Sequence, residues 1–322
     1  MSPIDSAMSA EKSPAATPGW SGGHTYEPIV VNRPARATAG ATLKVVAFNA
    51  RGGSHLNQIT ACLRRPPLLG ADIILLCEAD WGRRRSAGLE FASELARKLE
   101  MSFAFVAEFG VARAPDDPTA FTGNAILSSR PLVGVYAIPL PHTFLRKRMP
   151  RLKGGPAGLA ATAFFNGRAV TIGVAHLNSR GDPSGRDLQM REYLARLPAE
   201  GPAIIGGDFN TTTIAIGETL SFVTVMSAMM RRPRRFRAPQ QWEPLFEHLA
   251  AANFDLRGAN VPWQPTFTFA RMIPPFMRPK LDWIALRGLE PLPDSAAVIP
   301  ARQSLLARRF SDHDFITCDV RI

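Results

Sequence analysis

One almost continuously apolar segment, residues 71–77, constrains the fold of this chain more than any other. A strand with apolar side chains on both of its sides is typical of a sheet that is covered on both faces. Over residues 87–99 the apolar positions then recur at three- and four-residue spacing, which predicts an amphipathic helix packed on that sheet. The two segments together predict a layered α/β architecture.

Further strands are predicted on both sides of this unit. The β-prone runs cover residues 43–48, 103–109, 123–128, 159–165, 169–175, 203–205, 280–286 and 315–320. Asn166-Gly167, between two of them, is a strong signal for a hairpin turn, so mixed sheets are expected. Arg186 and Gln189 are predicted to open a helix and pack it. Because no repeat or linker divides residues 41–322, they are predicted to form one domain.

Residues 1–40 are predicted to be a flexible extension, because they contain Pro, Gly, Ser and Thr throughout and lack apolar periodicity. Residues 1–20 contain no apolar stretch behind a positive segment, so no secretory signal is apparent and a cytoplasmic location is expected. Cys62, Cys77 and Cys318 are odd in number and lack metal-binding spacing. The sequence therefore predicts neither a disulfide framework nor a structural zinc site.

The chain is basic. Its 322 residues include 38 Lys and Arg against 27 Asp and Glu, which gives a formal net charge of +11. A surplus of this size favours polyanionic partners such as nucleic acid, phosphorylated small molecules or anionic lipid headgroups, without choosing among them. Hydrophobic residues make up 46% of the chain, which excludes a largely disordered protein.

Polar side chains recur at the ends of the predicted strands. They are Asn49, Glu78, His176, Asp208, Asn210, Asp282, Asp312 and His313. Carboxylates and amides can hold a hard cation and histidines can move protons, a combination suited to hydrolysis of a phosphate ester by water. Taken alone, each residue can also be explained by a purely structural role: Glu78 could cap backbone N–H donors, and His176 could lie at the rim of the core. Burial of Asp282 among apolar neighbours is costly without a donor, so a pair with His313 is predicted.

Six short motifs carry a resemblance to a known family. They are Phe48-Asn49, Cys77-Glu78, His176-Leu177, Gly207-Asp208-Phe209-Asn210, Leu281-Asp282-Trp283-Ile284 and Ser311-Asp312-His313. In this order, over residues 43–322, the set resembles the endonuclease/exonuclease/phosphatase superfamily. The resemblance implies a four-layer α/β sandwich of two mixed β-sheets flanked by helices, with residues 41–322 as the catalytic domain and the site where the sheets meet.

The resemblance also implies a metal site. Glu78 would be the principal Mg²⁺ ligand, with Mn²⁺ as the alternative ion, and Asn49 and Asp312 would help to bind or orient the metal. Arg51 stands where abasic-site endonucleases carry an acidic residue. A second metal is therefore not expected at that position.

The same resemblance assigns catalytic roles to five residues. Asp208 and Asn210 would position the attacking water and the phosphate, and they share a face if the chain stays extended there. His176 and His313 would contact the phosphoryl oxygens and support proton transfer, with Asp282 fixing the tautomer of His313. Because the repair enzymes have a tyrosine at the position of His176, the chain looks more like the deoxyribonuclease, sphingomyelinase and inositol-phosphatase branches.

Three basic segments favour nucleic acid as the partner and a nuclease as the function. They are residues 83–85; residues 146–148 with Arg151 and Lys153; and Arg231, Arg232, Arg234, Arg235 and Arg237. The alternative is a phospholipid or inositol-phosphate phosphoesterase at an anionic membrane surface, with residues 214–230 as an interfacial helix, although a helix covering a sheet edge explains them as well. Phe276 and Met277 suit either substrate. A non-catalytic binding module is the third hypothesis. No protein partner is inferred, and a monomer is expected.

Overall fold

The computed structural model describes residues 26–35, 40–114, 117–142, 152–179, 182–213, 230–231, 233–268, 274, 277–304 and 307–322. Its strands are β1 (Ile29–Val31), β2 (Thr42–Gly52), β3 (Ile73–Trp81), β4 (Ser102–Ala114), β5 (Asp117–Ser128), β6 (Val133–Pro139), β7 (Leu152–Gly154), β8 (Ala157–Phe165), β9 (Arg168–Val174), β10 (Ala203–Asp208), β11 (Asp282–Arg287), β12 (Glu290–Pro291), β13 (Ala297–Ile299) and β14 (Phe315–Arg321). Its α-helices are α1 (Leu56–Leu63), α2 (Phe91–Leu99), α3 (Pro183–Leu194), α4 (Pro233–Arg237) and α5 (Leu245–Ala251).

The strands form two mixed sheets, as the sequence predicts. The larger sheet has the order β1-β4-β5-β3-β2-β14-β12, with β13 on β14 and β7 on β4. The smaller sheet has the order β11-β10-β9-β8-β6. The pairs β2 with β3 and β9 with β10 are parallel. Asn166 and Gly167 close the β8–β9 hairpin with φ angles of 51° and 79°, the left-handed backbone that a tight hairpin turn requires.

The two sheets pack face to face, and alternate side chains of β3 explain why its sequence is apolar throughout. Ile73 joins β8 and β9 residues such as Leu159 in the core between the sheets. Ile74 points the other way, into a core with Leu95 of α2. On the far side of the smaller sheet, helices α3 and α5 pack against β10 and β11. The result is helices, sheet, sheet, helices, which confirms the predicted four-layer α/β sandwich.

The described part of the N-terminal region differs from the predicted flexible extension. Tyr26 is buried, and its ring meets the ring of Phe121 edge-on. Strand β1 pairs antiparallel with β4, with Ile29 opposite Phe105. Residues 29–31 therefore extend the larger sheet. Within the 1–40 prediction, residues 1–25 and 36–39 lie outside the described part of the chain.

One predicted helix begins later than expected, and two other predicted segments lie outside the described residues. Helix α2 begins at Phe91 rather than at residue 87, because Ala87 and Gly88 have left-handed φ angles of 55° and 75° that end a short helical turn. The basic residues 146–148 and nearly all of segment 214–230 lie outside the described residues. Among the helices that are described, none is long and apolar enough to cross a membrane.

Candidate active site

The carboxyl ends of β2 and β3 in one sheet face those of β9 and β10 in the other, and the predicted site residues lie there. The Asn49 amide, at the end of β2, donates from Nδ2 to Glu78 Oε1 at 3.2 Å and to Asp208 Oδ2 at 3.0 Å. Its Oδ1 accepts the backbone N–H of Arg51 at 2.9 Å. One buried amide thus links the two sheets and orients a carboxylate from each.

Glu78 is placed by an irregularity in β3. The register between β3 and β5 shifts between Leu76 and Ala79, and Glu78 adopts a left-handed φ of 51°. A bulge of this kind re-aims a side chain next to a site. Burial would raise the pKa of Glu78, but the charges of His176 and His313 and the Asn49 hydrogen bond outweigh it and lower that pKa below its ordinary value. Glu78 is therefore an ionised carboxylate at neutral pH.

Asp208 is held by the tight backbone at the end of β10. A Cβ on Gly207, whose φ is 131°, would lie 2.3 Å from the carbonyl oxygen of Ala175, so only glycine fits. Asp208 Oδ1 accepts the backbone N–H of Asn210 at 2.9 Å. Burial, more than any other effect, raises the pKa of Asp208 to about 6.

Asn210 differs from the predicted extended arrangement. Its φ is 50°, in the left-handed region, and its Nδ2 donates to the carbonyl oxygen of Leu177 at 2.8 Å. The amide nitrogen therefore fixes the loop that follows His176. Asn210 lies at the site, but its side-chain N–H donor bonds to the protein backbone.

The predicted pair of Asp282 and His313 is present. Asp282 Oδ2 lies 2.8 Å from His313 Nδ1, and both side chains are buried. His313 Nε2 lies 3.5 Å from Asp208 Oδ2. Burial alone would lower the pKa of His313, but the charges of Asp282 and Asp208 and the Asp282 hydrogen bond outweigh it and raise the pKa to about 10. The imidazole is therefore protonated, with Nε2–H directed at the carboxylate of Asp208.

His176 approaches Asp208 from the other side. Its Nε2 lies 3.7 Å from Asp208 Oδ2, and its Nδ1 lies 3.6 Å from Glu108 Oε2. Burial works to lower the pKa of His176, yet interactions with Glu108, Asp208 and Glu78 raise it to about 9. Two imidazolium groups thus flank one carboxylate.

Glu108 is the site residue that the sequence reasoning missed. It lies in β4, inside a run predicted only as a strand, and it is buried. Besides facing His176, its Oε1 accepts the backbone N–H of Ala157 at 3.4 Å. A carboxylate in an otherwise apolar strand was the available signal, because such a group needs a partner when it is buried.

Asp312 lies at the rim of the cluster. Its Oδ2 is 3.5 Å from Arg51 Nε, and the Arg51 side chain is 62% exposed. The neighbouring Ser311 hydroxyl donates to the backbone oxygen of Asn49 at 2.9 Å, which ties this turn to the end of β2. The structure brings Asp312 beside Arg51, and its role toward a metal stays a prediction.

The donor set fits a hard divalent cation. Ligand atoms of Asp208, Asp282 and His313 lie within 4.8 Å of one another, and Asp282 Oδ1 accepts no hydrogen bond from the described residues. Ionised Glu78 adds a carboxylate that is bonded to the Asn49 amide. Because Mg²⁺ prefers oxygen ligands and His313 Nδ1 is already bonded to Asp282, the oxygens around Glu78 suit this ion better than the imidazole does.

A family model described as the Endonuclease/Exonuclease/phosphatase family matches residues 46–313. The chain belongs to this family. Members of the endonuclease/exonuclease/phosphatase family are hydrolases that act on phosphoester bonds, so this chain is of the phosphoesterase, nuclease or phosphatase type. Among curated proteins, none matches the chain.

Solved structures of the endonuclease/exonuclease/phosphatase family share the fold. An endonuclease/exonuclease/phosphatase from Beutenbergia cavernae is 19% identical with a TM-score of 0.60, over 88% of this chain and 72% of that one. TDP2 of D. rerio, complexed with a single-strand DNA product, is 16% identical with a TM-score of 0.54, over 88% of this chain and 100% of that one. Sphingomyelinase C of Streptomyces griseocarneus is 14% identical with a TM-score of 0.50, over 87% and 99%. At these identities the likeness establishes the fold alone.

A buried ion pair supports the loop behind the site. As predicted, Arg186 lies in helix α3 as a packing residue, and its guanidinium binds both carboxylate oxygens of Glu243, at 3.0 and 2.6 Å, with both side chains fully buried. Glu243 Oε1 also accepts the backbone N–H of Thr213 at 2.7 Å. The pair therefore anchors the chain three residues after Asn210.

We expect Glu243→Gln to lower the free energy of unfolding by about 3–5 kcal/mol, because it removes the negative charge that binds the buried Arg186 guanidinium. Urea unfolding measures this directly. The matched control is Glu290→Gln, whose ion pair with Arg321 is mostly exposed and should leave stability unchanged. Equal effects of the two substitutions would contradict the anchoring role.

Proposed function

We propose that this protein is a metal-dependent phosphodiesterase that cleaves nucleic acid by in-line attack of water. The observation that carries the proposal is the convergence of Glu78, Asp208, His176 and His313 at one junction between the sheets. An ionised carboxylate for a cation, a second carboxylate for water and two positive donors are what hydrolysis of a phosphate diester needs.

Each residue has a distinct task in this proposal. Mg²⁺, or Mn²⁺, held by Glu78 with help from Asn49 and Asp312, would offset negative charge on the phosphoryl group. Asp208, with its pKa of about 6, is ionised at neutral pH and accepts a proton or hydrogen bond from the attacking water. Asn210 supports this carboxylate through its backbone N–H.

The two histidines bind the phosphate group in this proposal. The Nε2–H groups of His176 and His313 both lie near Asp208, so each can donate a charge-assisted hydrogen bond to an oxygen of the phosphate group bound beside that carboxylate. Asp282 accepts from His313 Nδ1, which leaves Nε2 as the proton donor toward the leaving oxygen. No covalent intermediate is required.

Nucleic acid is favoured as the substrate by charge. The chain has a net charge of +11, and two exposed arginines lie near site residues: Arg51, which is paired with Asp312, and Arg85, which is paired with Asp80 and acts on the charge of Glu78. Positive side chains beside a phosphodiesterase centre favour a polyanionic backbone. The lipid alternative depends on segment 214–230, of which only Met230 is described.

The proposal is tested with Mg²⁺ and a panel of plasmid DNA, single-stranded RNA, sphingomyelin and inositol phosphates, with Glu78→Gln as the inactive control. We expect cleavage of nucleic acid that slows steeply as salt rises, because phosphate contacts weaken with ionic strength. Turnover of sphingomyelin or inositol phosphates without nucleic acid cleavage would assign the lipid or inositol-phosphate function. Binding without turnover on the whole panel would indicate a non-catalytic module.

A further inference from the structure

Trp263 is an unusual surface residue. Its side chain is 48% exposed, and its backbone has a left-handed φ of 60°, a conformation that bulky residues rarely adopt. The Arg237 side chain holds it there, because Arg237 Nε donates to the Trp263 carbonyl oxygen at 2.6 Å. Within the part of the chain that is described, the indole stacks on no other ring and lies under no cation. The backbone of Trp263 is therefore held in place, and its side chain is half exposed to solvent.

Trp263 lines a cavity of about 420 Å³, whose described walls also include Pro233, Arg234 and Arg237 of helix α4. Neither Arg234 nor Arg237 forms an ion pair with an acidic residue among those the structure describes. The cavity thus combines an aromatic ring with two cations that have no acidic partner in the described part of the chain. That chemistry matches a nucleotide, in which a planar base is joined to a phosphate.

The cavity lies close to the catalytic cluster along the chain. Phe267 is four residues after Trp263, so its Cα lies at most about 14 Å away, and its ring centroid is 4.8 Å from that of His313. Helix α4 is tied to the same region, because the backbone N–H of Lys280, two residues before Asp282, donates to the Phe236 carbonyl oxygen. A nucleic acid strand with its scissile phosphate at His313 would reach the cavity within a few nucleotides.

We infer that the cavity of Trp263, Arg234 and Arg237 binds a nucleotide of the substrate strand that flanks the cleaved phosphate, with the base on the indole ring and the phosphate at the arginines. This inference deepens the proposed nuclease function. A membrane contact fits less well, because interfacial tryptophans protrude with apolar neighbours, whereas Trp263 lines a concave surface beside two guanidinium groups.

The test is the binding of a fluorescently labelled 12-mer of thymidylate to the full chain in EDTA, measured by anisotropy. Trp263→Ala should weaken binding about 5- to 100-fold, the range for loss of one base–aromatic stack, while Trp263→Phe keeps most of the affinity. Arg234→Gln should weaken binding and reduce the salt dependence by about one counterion. Trp242→Ala, at another exposed tryptophan, is the matched control and should bind as the wild type does.

Three results would overturn the inference: wild-type protein that does not bind the 12-mer, equal affinities of Trp263→Ala and Trp242→Ala, or a Trp263→Ala effect confined to phosphatidylserine vesicles. Thermal unfolding of each variant confirms that it is folded. Cleavage is scored separately with Mg²⁺. If the wild type binds through Trp263 but does not cleave, the nuclease proposal is wrong and the binding site stands. If the wild type cleaves normally and Trp263→Ala does not change binding, the nuclease proposal stands and the binding site is wrong.

Discussion

Replacing Glu78 with glutamine is expected to lower the Mg²⁺-dependent rate of phosphodiester hydrolysis at least about 1,000-fold. The substitution keeps the size and the Asn49 hydrogen-bonding position of the side chain but removes its negative charge. Loss of a bound divalent ion costs several kcal/mol of transition-state stabilisation, and each 1.36 kcal/mol is a factor of ten in rate. The measurement is kcat/KM on the substrate that the panel identifies.

A binding readout separates this effect from misfolding. Mg²⁺ at about 100 times its dissociation constant should stabilise the wild-type protein by about 2.7 kcal/mol through mass action, and Glu78→Gln should lose most of that stabilisation. The control is Glu247→Gln, an exposed position on α5, which should keep both activity and the Mg²⁺ effect. If Glu78→Gln also kept both, the ion would have to bind elsewhere, with Asp208, Asp282 and His313 as the first candidates.

The central strands could be predicted from the sequence because their pattern depends on burial. Strand β3 is apolar on both sides since one side faces the other sheet and the other side faces α2, and this leaves a continuous apolar run in the sequence. Peripheral strands such as β7 and β12 were missed. They are three and two residues long, and long-range pairing with β4 and β14 creates them. β1 was missed for the same reason, since it forms by adding to the edge of β4.

Contacts in the site could be predicted from the sequence where a buried charged residue needs a partner. Asp282 lies among apolar neighbours and needed a donor, so its pairing with His313 followed from the sequence and is present. The conformation of Asn210 did not follow, because its backbone is left-handed and its side chain bonds to Leu177, which lies in the loop after β9 and is distant in sequence. Glu108 reaches His176 only because the two sheets face each other, a relation that no local pattern contains.

Replacing Asp282 with asparagine should lower kcat about 100- to 10,000-fold, the range for losing a general acid or base. Asparagine retains the shape but not the charge that holds the proton on His313. Burial lowers the pKa of His313, and without the Asp282 charge mainly Asp208 opposes that effect. The pKa of His313 therefore falls from about 10, and less of the imidazole is protonated at neutral pH. Profiles of kcat against pH should show the activity deficit growing as pH rises from 7 to 9.

Stability without metal gives a second readout with a definite sign. His313 has a folded-state pKa near 10, above the value of about 6.5 of an unfolded histidine. The stability that it contributes is therefore complete below about pH 6.5 and is lost as pH rises through about 10. Asp282→Asn should accordingly destabilise the metal-free protein most near pH 6 and least near pH 10, whereas Asp294→Asn, at an exposed turn, should do neither. A destabilisation independent of pH would mean that Asp282 acts by shape and hydrogen bonding alone. The raised pKa of His313 would then be due to Asp208.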